Sequence, residues 1–400
     1  MPIDPSFSTM IRRRLLSDPQ AEDVKLAMHL LWSGRLRSFL RWRKNERWRD
    51  KRRVSRIVIA YDLHRQPVSV GDMLISLEAG LTLREQHRAD DVEMVLLADP
   101  NKRSIVHAFS HLEGHQIHEF ASTMSQVLSQ FEHVSHVHLF GRRSPCEHFL
   151  GNQSAQHLVW PSALTFAGKP SPGTKMRTYA SPVSGNNMFL SPQAYLYYEI
   201  HNHILHNFFQ KNGRLPELRL NSKAQGRVHH LFEKMEYRIP ISVHLRWNEN
   251  VQPERNSNFA GWRKFFQHAL QTFPDVGFVV VGTRGEADQL GEVPANVFIA
   301  KNAGTDLTMD MAIIRGCAGH LGEGSGPGMV AEFGSRPYSY WTPTLLPTLY
   351  VGARQEGAVA YFSHCTKNQK MIMEPQSDAS ILHYGSDLVQ AAIFSARRST

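Results

Sequence analysis

Short runs of aliphatic residues recur along this chain, and longer segments with apolar residues at helical spacing lie between them. RIVIAYDL (56–63), VEMVLLAD (92–99), HVHLFG (136–141) and HLVWP (157–161) read as strands, with MLISLEAGLTLREQ and HQIHEFASTMSQVLSQF as helices among them. The alternation then starts again. IPISVHLRW (239–247), VGFVVVGT (276–283) and VFIAK (297–301) read as strands, while NFAGWRKFFQHALQTF and DLTMDMAIIRGC read as helices. Strands separated by helical segments specify an α/β chain with parallel sheets. The expected architecture is two Rossmann-like domains facing an interdomain cleft.

The domains are expected at 56–188 and 189–378, after an arm at 1–55 and before a helix at 379–400 that crosses back to the first domain. The Gly-, Pro- and Ser-rich passage 166–187 reads as a long loop at the domain edge. A helix follows in SPQAYLYYEIHNHILHNFFQKNG, with Ser191 as its N-cap, Pro192 in its first turn and Gly213 as its stop. With 400 residues and 42% hydrophobic side chains, the chain has room for two cores. Cys146, Cys317 and Cys365 are too few and too scattered for a disulfide framework, which points to a reducing compartment. The N-terminus lacks an apolar stretch of signal-peptide length, and no window is apolar enough to span a membrane, so a cytoplasmic location is expected.

The charge is concentrated. Residues 35–56, RLRSFLRWRKNERWRDKRRVSR, carry eleven Lys or Arg against Glu46 and Asp50, equal to the whole net charge of +9. Trp42 and Trp48 are interleaved with these cations. Such a stretch suits an anionic membrane surface, on the inner face for a cytoplasmic protein; it equally suits a solvated helix packed through its Trp residues. Nucleic acid ranks below both, because acidic residues dilute the basic ones elsewhere.

Ligands of open α/β sheets sit beyond the carboxyl ends of the strands, which directs attention to three segments. GEGSGPGMVAEFG (322–334) follows a candidate strand near 318–321, and its bare backbone at Glu323, Gly324, Ser325 and Gly326 suits a phosphate if a helix starts at Met329. It matches neither of the common phosphate-loop patterns. Arg246 and Arg255, in RWNENVQPERNSNFAGW, are placed to clamp a diphosphate, with Asn256 and Ser257 able to cap the next helix or meet a sugar hydroxyl. Asn258 reads as a cap. Asp72, in Val70-Gly71-Asp72, is either a helix cap or a general base facing the cleft. Glu78 lies two turns further along the same helix. His111, His115 and His118, like His201, His203 and His206, lack the accompanying carboxylates of a metal motif, and no metal is expected.

Taken together, these segments resemble the GT-B glycosyltransferases, and most closely the bacterial heptosyltransferases of lipopolysaccharide assembly. SVGDMLISLEAGL is similar to the family segment whose Asp is the proposed catalytic base, which carries that role onto Asp72. VHLRW and RNSNFAGWRKFF resemble the donor-domain opening, which implies phosphate contacts by Arg246 and Arg255. Ser325-Gly326-Pro327 matches the family's late loop, although Gly324 replaces its acidic residue and Glu323 stands one position earlier. The resemblance implies sugar transfer from a nucleotide-activated donor to a hydroxyl of a glycan or lipid-linked acceptor, inverting and without metal or other cofactor. Transfer of the fucosyl or Kdo type, and a non-enzymatic nucleotide- or nucleic-acid-binding module, are the alternatives.

Overall fold

The structure, a computed structural model, describes residues 54–106, 109–160, 177–180, 187–190, 201, 204–235, 237–249, 253–324, 326–342 and 353–397. The basic arm to residue 53, Ser191, Pro192, His203 and Ser325 lie outside the described residues. The first lobe runs β1 (Arg56–Asp62), α1 (Val70–His87), β2 (Asp91–Leu97), α2 (Gly114–Leu128), β3 (Val134–Phe140), α3 (Arg143–Gly151) and β4 (His157–Trp160). A small antiparallel pair, β5 (Arg177–Ala180) and β6 (Asn187–Leu190), follows, and then α4 (Ser222–Phe232). The expected boundary at 188 thus falls within β6, and the expected loop carries a hairpin.

The second lobe runs β7 (Ile239–His244), α5 (Phe259–Thr272), β8 (Val276–Val281), α6 (Arg284–Asp288), β9 (Val297–Ile299), α7 (Leu307–Gly316) and β10 (Gly319–Glu323). It continues with α8 (Met329–Glu332), β11 (Tyr338–Trp341), β12 (Arg354–Glu356), β13 (Val359–Tyr361), β14 (Gln369–Ile372) and α9 (Asp378–Arg397). The first sheet has the order β3-β2-β1-β4, and the second β12-β13-β14-β11-β10-β7-β8-β9. The parallel strands of each sheet therefore follow the Rossmann order, with the first strand between the second and fourth. Only β12 and β13 at the second sheet's edge pair antiparallel.

Alternation along β8 shows how the second sheet is covered. Val276, Phe278 and Val280 face a core with Trp262, Phe265 and Phe266 of α5, while Val279 and Val281 face the opposite core. That opposite core also holds Ile57, Leu77 and Met94 of the first lobe, so the lobes share one hydrophobic seam. Helix α1 lies in it. From Gly71 to Leu83 every residue of α1 is buried except Asp72, because the first sheet covers one side and the second lobe the other. The segment 204–212 is helical and ends at Gly213 with φ +69°, as the sequence predicts.

The carboxyl-terminal helix forms but does not take the expected path. Ile381, Leu388, Val389 and Ala392 of α9 belong to the core under α5. This apolar face completes the second lobe instead of returning to the first, since the sheet would otherwise lose cover beside α5. None of the described helices is long and apolar enough to cross a membrane.

Candidate active site

In the Rossmann order a crevice opens at the carboxyl ends of the first and fourth strands, where the chain switches direction. In the second sheet these are β7 and β10, and the segments leaving them are the Arg246–Ser257 loop and the glycine-rich stretch. In the first sheet they are β1 and β4, and β1 leads to the start of α1. The tertiary structure thus gathers all three sequence-predicted segments around one seam.

The second-lobe side is built on Arg255. Its Nε lies 3.2 Å from Glu323 Oε1, and its Nη2 donates to the Gly324 carbonyl. Glu323, only 1% exposed, also accepts from Gln376 Nε2 at 3.0 Å, and Gln376 is held by Trp262 Nε1 at 2.8 Å. Burial raises the Glu323 pKa to about 7 against the downward pull of Arg255 and Gln376. Arg246 leaves the end of β7 with its Nη1 2.9 Å from Asn256 Oδ1. Its pKa is lowered by burial and by the like charge of Arg255. Two guanidiniums brought near each other, with one partly offset carboxylate, form a region that attracts a doubly charged anion.

The first-lobe side meets this directly. A Cβ on Gly71 would lie 3.0 Å from Met329 Cγ and 3.4 Å from Gly326 Cα, and one on Gly326 would lie 3.2 Å from Gly71 N. The two glycines let backbone approach backbone at the lobe seam. Asp72, the next residue, is half-buried, and desolvation raises its pKa to about 6 while a Ser69 hydrogen bond pulls it down. A carboxyl tuned toward neutrality beside the seam of the two lobes suits general base catalysis.

The remaining sequence candidates take other places. Glu323 orients Arg255, and a buried carboxylate would repel a phosphate in any case. The Gly324 amide donates to Trp341 O at 2.7 Å, so it continues the sheet and is not a phosphate donor. Asn256 Oδ1 accepts from Asn248 N at 2.8 Å, and Ser257 Oγ from Arg246 N at 3.0 Å, so both side chains shape the arginine loop. Asn258 caps α5 through Gly261 N at 3.0 Å. The expected helix after the glycines is α8, a single turn, too short for a macrodipole of consequence.

Sequence reasoning passed over other strand-end residues. His244 closes β7, where Gly322 (φ +146°) comes so near that a Cβ would lie 2.0 Å from His244 O. Asp310 accepts from Gly282 N at 3.3 Å and from Lys301 Nζ at 2.8 Å, tying the loops after β8 and β9 together. In the first lobe, Asp62 at the end of β1 pairs with Arg143, and His64 Nε2 accepts from Asp99 N at 2.7 Å. The strand-end rule was the signal for His244, Asp62 and His64, which end or follow β7 and β1; Asp310, in the first turn of α7, carried no such signal. Of the histidines, His118 Nδ1 stands 2.8 Å from Ala98 O and His206 Nδ1 3.2 Å from Ser363 Oγ. Among the described residues, no three His, Cys, Asp or Glu side chains gather as a metal centre requires.

No family model and no curated protein matches the sequence. Among solved structures, the chain is similar to E. coli ADP-heptose lipopolysaccharide heptosyltransferase II, with 15% identity, 86% of this chain and 99% of that one covered, and a TM-score of 0.49. A glycosyl transferase family 9 protein from Veillonella parvula is 12% identical over 74% of this chain and 84% of its own, with a TM-score of 0.46. An E. coli heptosyltransferase with ADP is 13% identical over 84% and 99%, with a TM-score of 0.44. At such values function rests on the chemistry of the site itself.

Proposed function

We propose that this protein is a glycosyltransferase that moves a sugar from a nucleotide-activated donor to a hydroxyl of a bacterial surface glycan or lipopolysaccharide acceptor. The observation that carries the reading is the meeting of Gly71 with Gly326, which sets Asp72 beside the segment leading back to Arg255 and Arg246. Asp72 takes the proton of the acceptor hydroxyl as its oxygen bonds to the anomeric carbon. The bond from that carbon to the diphosphate breaks, and its electron pair leaves with the phosphate. Arg246 and Arg255 meet the growing charge, an electrostatic contribution that is largest in the transition state. Attack opposite the leaving group inverts the anomeric centre.

A screen of ADP-, GDP-, UDP- and CMP-linked sugars by thermal shift and donor hydrolysis tests this. One nucleotide class is expected to raise the melting temperature by several degrees, as a ligand at about 100 times its Kd stabilises by about 2.7 kcal/mol. Absence of any shift, together with single-stranded RNA binding that weakens steeply with salt, would favour the binding-module alternative.

Residues 35–56 place the protein on an anionic membrane surface, near acceptors carried on lipids. Deleting residues 1–53 is expected to abolish co-sedimentation with phosphatidylglycerol vesicles and to leave the nucleotide shift intact. Equal sedimentation of the shortened protein would assign the arm another task.

A further inference from the structure

Helix α1 carries one group that its surroundings do not suit. Glu78 is 0% exposed, and among the described residues neither of its carboxyl oxygens has a hydrogen-bond partner. Thr82, one turn further along the same face, leaves its hydroxyl in the same condition. The charged groups that bear on Glu78 are His364, Arg315 and Glu332 of the second lobe and Glu85 of its own helix. The second-lobe groups are engaged elsewhere. His364 Nε2 stands 3.4 Å from Glu332 Oε1, and Tyr340 donates to Glu332 Oε2 at 3.1 Å. Arg315 donates to the Leu218 carbonyl and to the Glu217 carboxylate. Burial pushes the Glu78 pKa well above its ordinary value, against the pull of His364 and Arg315.

A buried polar group without a partner penalises whatever packing buries it, and an apolar side chain of like shape removes that penalty. The packing concerned is the contact of α1 with α8 and its neighbours. At its outer end Gly71 meets Gly326 and Met329; at its inner end Glu78 faces the side that carries Glu332. We infer that Glu78 is a positioning residue that limits how tightly α1, and Asp72 with it, closes against the glycine-rich loop. The unpaired carboxyl favours parting of the seam, where water can solvate it, and parting frees a spent nucleotide to leave. That last consequence rests on the glycosyltransferase reading.

Amide hydrogen exchange of the full chain, followed by mass spectrometry, tests the inference without substrate. Glu78→Met is expected to slow exchange in residues 73–83 and 329–332 by about tenfold, equivalent to about 1.4 kcal/mol, and to raise the melting temperature. Glu78→Gln keeps an unpaired polar group and should stay within about twofold of the parent. Faster exchange or a lower melting temperature in Glu78→Met would mean that the carboxyl supports the closed seam, and would overturn the inference. So would Glu78→Gln behaving like Glu78→Met. Release of ADP or GDP, measured by stopped flow, should slow about tenfold in Glu78→Met, with kcat and donor KM falling together. Slowed exchange with unchanged release would keep the positioning role and overturn its link to turnover.

Discussion

Asp72→Asn is expected to lower turnover by roughly 10²–10⁴-fold while leaving donor affinity within about twofold. The substitution keeps the shape of the side chain and removes only its ability to accept a proton. Because burial raises the Asp72 pKa to about 6, the parent's kcat/KM should fall as pH drops below about 6, where the base is protonated. The stability sign runs the other way. A carboxyl whose pKa is raised on folding, here from 3.8 to about 6, contributes stability that is complete below 3.8 and lost as pH rises through about 6. Asparagine has no such loss, so above pH 6 the inactive variant should melt no lower than the parent. Steady-state kinetics across pH 5–8 with melting curves would check both. Activity within tenfold of the parent, or an acid limb that persists in Asp72→Asn, would remove Asp72 from the role of base.

Arg255→Ala should weaken the donor about 10–100-fold and also destabilise the fold, because Arg255 serves both the ligand side and Glu323. Breaking a buried ion pair by removing one partner commonly costs about 3–5 kcal/mol. Here the cost depends on pH. Glu323 has its pKa raised from 4.5 to about 7, so its favourable contribution is complete below 4.5 and gone above about 7. Without Arg255, which holds that pKa down, the carboxyl keeps its burial but loses its compensating charge, so its ionisation above pH 7 costs more. The melting-temperature gap between parent and Arg255→Ala should therefore be small at pH 6 and widen at pH 8. Adding Glu323→Gln should close the gap at pH 8 and leave donor binding weak, which separates the two duties of Arg255. Equal melting temperatures at pH 8 with unchanged donor affinity would contradict the assignment.

The alternation of strand and helix signals was enough to find β1 to β4, β7 to β10 and the helices α1, α2, α5 and α7, because apolar periodicity is a local property; α3, α6 and β11 carried no signal that was read. Gly213 and Asn258 were legible for the same reason, since a stop and a cap are set by neighbouring residues. The edge formed by β12, β13 and β14 was not: its strands match β9 and β4 in length, but β12 (Arg354–Glu356) is exposed throughout and offers no apolar run to mark it. Nor was the course of α9, whose apolar face fits either lobe until the exposed side of the second sheet is known.

The candidate site divides along the same line. Sequence alone picked out Asp72, Arg246, Arg255 and the glycine-rich stretch, since residue type and position after a strand are written in one dimension. Their separate duties were decided in three dimensions. Pairing of β10 with β11 uses the Gly324 amide, and burial of Glu323 beside Arg255 makes that acid a brace. The contact of Gly71 with Gly326, and the stranding of Glu78 within the seam, join residues that lie far apart in the sequence. Composition and periodicity fix which side of an element is apolar, but only packing fixes what that side meets, because burial energy is non-directional and is satisfied by any complementary surface.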